Sequence, residues 1–180
     1  MARGFAVIAS DIVHTGRYSL NVETGSTEFY ELESFSSTYV RVYVYFGSQP
    51  TTTYWEVLRV YTSMEPHRVQ IATLAILSDR RIQVWNLGAI PAIVQGDMQA
   101  VTGAWNCIEL KVIPGTGKGQ RSNQNAIVEA RLDGLMTATS TNGSDFGTIS
   151  RVTFGYSPGE FGIVRLDDAI ARSDGYPGPM

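Results

Sequence analysis

Hydrophobic and polar residues alternate along most of this chain with a period of two. The fullest example runs from Ala104 to Gly134. In its first part Ala104, Asn106, Ile108, Leu110 and Val112 fall on one face, and Trp105, Cys107, Glu109 and Lys111 on the other. Successive strand side chains point to opposite faces, so the pattern predicts a half-buried strand. The following Pro-, Gly-, Ser- and Asn-rich stretch predicts a loop. A second alternating run, AIVEARL, ends in Asp133-Gly134, a two-residue hairpin signal before Leu135 and Met136. Strand, long loop, strand, tight turn and strand make an antiparallel meander with one buried face.

The same period recurs elsewhere. Val40, Val42, Val44 and Phe46 share one face of a strand over 38–46, and Tyr39, Arg41, Tyr43 and Tyr45 the other. Further strands are predicted over 17–22, 28–33, 53–62, 68–77, 80–87, 149–156 and 161–171. A short edge strand is expected over 5–9, and a weak one where Ile90, Ile93 and Val94 flank Pro91. Turn residues separate the strands every 8 to 14 or so positions, and no stretch reads as a helix. The class is therefore all-β, an antiparallel β-sandwich with little or no helix.

Two motifs in the meander, Trp105-x-x-Ile108-Glu109-Leu110-x-Val112 and Val128-x-x-x-Leu132-Asp133-Gly134, resemble the concanavalin A-like lectin/glucanase superfamily in its laminin-G-like jelly-roll branch. The opening His14-x-Gly16-Arg17-Tyr18-Ser19-Leu20-x-Val22 and the closing Val164-Arg-Leu-Asp-Asp-Ala-Ile-Ala171 with Tyr176-Pro-Gly-Pro179 are similar to the first and last strands of that branch. Together they cover roughly residues 14 to 179. The resemblance implies a jelly roll and a structural Ca2+ where the first and last strands meet. Asp167 and Asp168 occupy the matching strand, with Asp11 as a further donor. Strict alternation lets only one of the Asp pair face such a site. The glucanase branch of that superfamily carries E-x-D-x-x-E on one strand. The nearest stretch here, Glu28-x-x-Glu31-x-Glu33, lacks the central Asp.

Composition adds boundaries. With 180 residues the chain is read as one domain over 1–174 and a Gly/Pro-rich tail over 175–180. A net charge of −3 gives no steering toward phosphate backbones, so no nucleic acid is expected. No apolar run is long enough to span a bilayer, so no membrane partner is expected. No signal peptide is read at the start, and a virion surface or extracellular location is suspected. The single cysteine, Cys107, is read as a packed residue. His14 and His67 sit in turn regions without ligand spacing. Pro114-Gly115-Thr116-Gly117-Lys118-Gly119 lacks both the early Gly and the Ser/Thr after Lys of a phosphate loop. Asn142-Gly143-Ser144 fits a glycosylation sequon only by composition.

The remaining candidate is a binding face. Tyr39, Arg41, Tyr43 and Tyr45, with Trp85, form a ligand-binding set of flat rings and planar polar groups. Such groups suit sugars and protein interfaces alike. Arg59 and Tyr61, or Arg81 and Gln83, extend it on alternating faces. The chain is accordingly expected to be non-enzymatic: a structural or recognition protein, first a surface-displayed virion component such as a phage decoration or tail protein. A glycan-binding lectin-like module is the alternative, and a glycoside hydrolase or lyase comes last. A protein partner or self-assembly is expected, with a glycan as second partner.

Overall fold

The structure is a computed structural model that describes residues 7–17, 19–22, 28–48, 53–62, 69–115, 125–143, 147–156 and 163–180. Of strand residues 7, 28–34 and 156 it describes the backbone alone. The His67 connection, the glycines and lysine of the 116–124 loop, Tyr18 and Ser144 lie outside the described residues, as do the side chains of Glu28, Glu31 and Glu33.

The described strands are β1 (Val7–Ala9), β2 (Ser19–Asn21), β3 (Glu28–Phe35), β4 (Thr38–Phe46), β5 (Tyr54–Thr62), β6 (Gln70–Leu77), β7 (Arg81–Asn86), β8 (Ile93–Gln99), β9 (Trp105–Ile113), β10 (Ala126–Leu132), β11 (Leu135–Gly143), β12 (Ile149–Tyr156) and β13 (Val164–Arg172). They form two antiparallel sheets, a seven-stranded one in the order β1-β2-β13-β4-β9-β10-β11 and a six-stranded one in the order β3-β12-β5-β6-β7-β8. No helix occurs among the described residues. The all-β sandwich follows the alternation read from the sequence.

The inward residues of each sheet meet in one core. From the seven-stranded sheet come Val40, Val42, Val44, Phe46, Ile108, Leu110 and Val112. Trp55, Val57, Leu58, Val60, Leu74, Ile76, Ile82 and Val84 come from the six-stranded one. Phe46 and Trp55 meet edge to face across the sandwich, ring centres 5.7 Å apart, a preferred aromatic geometry. The hairpin is as expected: Asp133 and Gly134 both have positive φ, 50° and 81°, which a two-residue turn matched to the strand twist requires. Asp133 also fastens the turn to β9, its Oδ1 accepting from the Cys107 N–H at 2.8 Å.

Two features depart from simple alternation. The weak strand around Pro91 is in fact a seven-residue edge strand, β8. Its apolar signal is faint because it is held partly by backbone approach. A Cβ added to Gly96 would lie 2.5 Å from the Thr137 carbonyl oxygen of β11, so only glycine fits. Gly96→Ala is expected to destabilise the fold by about 1–3 kcal/mol, the usual range for overpacking, read as a lower denaturation midpoint. The second departure is a set of β-bulges, each adding one residue to a strand and moving the following side chains to the other face. One lies between Glu56 and Leu58 on β5, paired to Ala75 and Leu74. Another lies between Asp167 and Ile170 on β13, paired to Tyr43 and Arg41. Both bulges shape the sites described next.

Candidate functional site

Each sheet turns one face outward, and the two outer faces differ. On the seven-stranded sheet, Tyr39, Arg41, Tyr43 and Tyr45 project together from β4, as expected. Opposite them on β9 stand Lys111, Glu109, Cys107 and Trp105 in register, and beyond these Glu129 and Arg131 face Lys111 and Glu109 from β10. The row is not open, however. Arg41 is 7% exposed, Tyr43 4% and Glu109 0%, because the segment after β13 lies across them. Arg41 Nη1 donates to the Gly178 carbonyl at 2.6 Å. Glu109 Oε1 accepts from the Gly178 N–H at 2.9 Å, and the Tyr43 hydroxyl accepts from the Met180 N–H at 2.6 Å. The Tyr176 ring takes the Arg131 guanidinium on its face at 3.8 Å and meets Tyr39 edge-on at 5.2 Å. Gly175–Met180, linker-like in composition, is a strap here. Burial raises the Tyr43 and Tyr176 hydroxyls above their ordinary range and pushes the Cys107 thiol up to about 11, which leaves Cys107 a packed thiol.

At the rim of this face His14 stacks on Tyr43, ring centres 3.7 Å apart and 17° from parallel, with Trp105 edge-on at 5.6 Å. His14 Nδ1 lies 2.6 Å from Asp168 Oδ2, and Thr15 Oγ1 donates to Asp168 Oδ1 at 2.7 Å. Asp167 Oδ2 accepts from the His14 and Thr15 N–H groups at 2.9 and 3.3 Å, and Oδ1 from the Asp168 N–H at 2.8 Å. The β13 bulge, with Asp168 at φ 49°, aims both carboxylates at the same loop, where alternation allowed one. Every oxygen of the pair accepts a hydrogen bond from the chain. Asp11 is turned instead to Arg165, at 3.0 Å. Calcium wants roughly six to eight oxygens, and this arrangement does not fit it. Among the described residues no three His, Cys, Asp or Glu side chains gather as a metal set.

Protonation of Asp168 is linked to folding. Burial alone would raise Asp168, and the hydrogen bonds from His14 and Thr15 outweigh it, so its carboxyl is held below the usual value of 3.8. A carboxylate favoured in the folded state adds stability in full above the unfolded pKa. That stability fades as pH falls through the lower folded value. Asp168→Asn keeps a residue tolerant of positive φ and removes the charge. It is expected to lower stability at pH 7 by about 1–2 kcal/mol and to flatten the loss below pH 4. Urea titrations at a series of pH values read both effects.

The outer face of the six-stranded sheet is a trough. Its floor is Thr73, Ala75 and Thr153, small and buried; its walls are half-exposed and large. Cross-strand register sets the side chains in rows. Thr153, Arg59, Thr73, Trp85 and Ile93 form one, and Glu56, Ala75, Gln83 and Gln95 the next. Arg151, Tyr61 and Gln70 form a third. Glu56 is 5% exposed and pairs with Arg59 through Nε. Burial would lower the Arg59 guanidinium, but the Glu56 carboxylate, with the Tyr61 hydroxyl, raises it and keeps the charge fixed. Trp85 Nε1 donates to Gln83 Oε1 at 2.8 Å, and Tyr54 stands edge-on to Trp85 at 5.5 Å. At this end a cavity of about 300 Å3 opens among Gln70, Ile71, Thr73, Trp85, Leu87 and Ile93.

The expected binding set is therefore split. Tyr39, Arg41, Tyr43 and Tyr45 sit on one sheet beneath or beside the strap, and Trp85 on the other. Arg59, Tyr61, Gln83 and Trp85 do share a face, and Glu56 joins them. Strict alternation puts Glu56 and Arg59 on opposite faces, and only the bulge unites them. A charged residue inside the apolar run Trp55-Glu56-Val57-Leu58 was the available signal.

Solved structures share this architecture across nearly the whole chain. The PL-14 alginate lyase of Aplysia kurodai superposes with a TM-score of 0.66 at 10% identity, covering 93% of this chain and 87% of its own. An alginate lyase of a Chlorella virus gives 0.63 at 9%, covering 93% and 88%. Trypanosoma rangeli sialidase gives 0.62 at 13%, covering 93% of this chain and 27% of the sialidase. The fold is an antiparallel jelly-roll β-sandwich. No family model and no curated protein matches the sequence. The neighbours matched along their length are carbohydrate-processing enzymes, which overturns the non-catalytic structural role expected first. No comparison supports a phage or virion role.

Proposed function

We propose that the trough of the six-stranded sheet binds an acidic polysaccharide and cuts it by β-elimination. The observation that carries this reading is the trio Arg59, Glu56 and Tyr61 beside a floor of small residues. The whole-length likeness to two alginate lyases supports it. Its laminin-G-like character is also our reading, supported by the opening and closing motifs.

Elimination at a uronate unit needs its carboxylate charge neutralised, a proton taken from C5 and a proton given to the departing O4. Arg59, held rigid by Glu56, is the neutralising group; a guanidinium meets a carboxylate in two parallel hydrogen bonds. Tyr61 is the proton carrier. Deprotonated, it takes the C5 proton; the C5–H electrons form the C4–C5 double bond, the C4–O4 bond breaks, and the same proton passes to O4. The tyrosine ends as it began. Trp85 and Tyr54 offer rings for a sugar face, and Gln83 hydrogen bonds for its hydroxyls.

The test is incubation with polymannuronate, polyguluronate and a neutral β-glucan, followed by the ultraviolet absorbance of the new double bond. Absorbance should rise with a polyuronate and not with the glucan, and Tyr61→Phe should lower the rate by about 100-fold or more. A folded protein that yields no unsaturated product from either polyuronate ends this reading.

A further inference from the structure

The strap over the seven-stranded sheet is recognised in an unusual way. Its described hydrogen bonds at Gly178 and Met180 run to main-chain atoms. Proline has no N–H, so Pro177 and Pro179 remove two donors and fix two φ angles. The N–H groups left on either side of Pro179 are those of Gly178 and Met180, and the sheet accepts both. Gly178 has φ 73°, a conformation that favours glycine. Tyr176 supplies the side-chain anchor between Arg131 and Tyr39. A proline-stiffened segment with one aromatic anchor is a common form of peptide ligand.

Beneath it the sheet keeps more capacity than the strap uses. Arg41, Glu109 and Arg131 lie side by side across β4, β9 and β10. Glu109 Oε2, Arg41 Nε and Arg131 Nε have no hydrogen-bond partner among the described residues. A permanent cover would be better served by apolar residues, because half-satisfied buried charges destabilise.

We infer that the outer face of the seven-stranded sheet is a peptide-binding site, filled in cis by Tyr176–Met180 and open to an aromatic-Pro-Gly-Pro segment of a protein partner. The site is on the opposite side of the sandwich from the trough and does not depend on the lyase reading. Tethering gives the resident segment an effective concentration on the order of millimolar, so free peptide competes only when the strap is weakened.

The experiment uses the full chain with Tyr176→Ala, and separately with Gly178→Ala; both leave the sheet residues intact. The probe is a fluorescein-labelled synthetic peptide spanning Asp174–Met180, followed by anisotropy. Hydrogen exchange at the Gly178 and Met180 amides reports strap release. Either variant should bind the peptide saturably at one per chain, at least tenfold tighter than the unaltered protein. Glu109→Gln added to Tyr176→Ala should weaken that binding about tenfold. Release of the amides without peptide binding overturns the proposal, as does their continued protection in both variants.

Discussion

Arg59→Ala is expected to inactivate the trough and weaken the fold together. Glu56 is 5% exposed, and its carboxylate is neutralised by the Arg59 guanidinium. Removing one partner of a buried pair strands the other charge, at a cost of about 3–5 kcal/mol for full burial. Because the Arg59 side chain is 17% exposed, the lower end, about 3 kcal/mol, is the expected loss. On a polyuronate, kcat/KM should fall by about 100- to 1000-fold, the effect of removing one preorganised electrostatic group. The double variant Glu56→Gln/Arg59→Ala separates the two effects. It should recover part of the stability, since no charge is left stranded, and recover none of the rate. Urea denaturation and the rate of double-bond formation are the two readouts.

Trp55→Ala is expected to cost about 3–5 kcal/mol, the range for truncating a buried aromatic. Trp55 is fully buried in β5 and meets Phe46 of β4 across the sandwich. Its loss opens a cavity where the two sheets are joined, and β-strands on both sides have little freedom to collapse into it. Stabilities of natural domains are about 5–15 kcal/mol, so the variant should retain little margin at 37 °C. Trp55→Phe keeps a ring in the same place and should cost well under half as much. Denaturant midpoints of the two variants against the unaltered chain decide the matter.

The fold was legible because alternation is a local property. Val40 to Phe46, Ile108 to Val112 and the Asp133-Gly134 hairpin each carry their signal within a few residues, and each came out on the expected face. The sites were less legible because they depend on breaks in alternation and on contacts distant in sequence. Glu56 and Arg59 join only through an extra residue in β5, and Asp167 and Asp168 only through one in β13. A bulge leaves no apolar pattern of its own. The β4 face was read correctly as one row of side chains and wrongly as an open surface, because Gly175–Met180 reaches it from more than 130 positions away. His14 looked like an isolated turn residue for the same reason: Asp168, Tyr43 and Trp105 are remote in the chain. Neither proposed site could be read from spacing: Glu56, Arg59 and Tyr61 lie on one strand but share a face only through its bulge, and Arg41, Glu109 and Arg131 belong to three strands.

The placement of the tryptophans gives the molecule a built-in set of optical probes. The chain has three, and each occupies a different environment: Trp55 in the core, Trp85 on the trough, Trp105 beside His14 and Tyr43 at the rim of the strapped face. Emission from Trp55 is shielded from aqueous quenchers such as iodide, whereas Trp85 and Trp105 border solvent. Replacing either outer tryptophan by phenylalanine leaves a single quenchable emitter, so that saccharide entering one face and peptide leaving the other can be followed separately, in unlabelled protein, in the same cuvette.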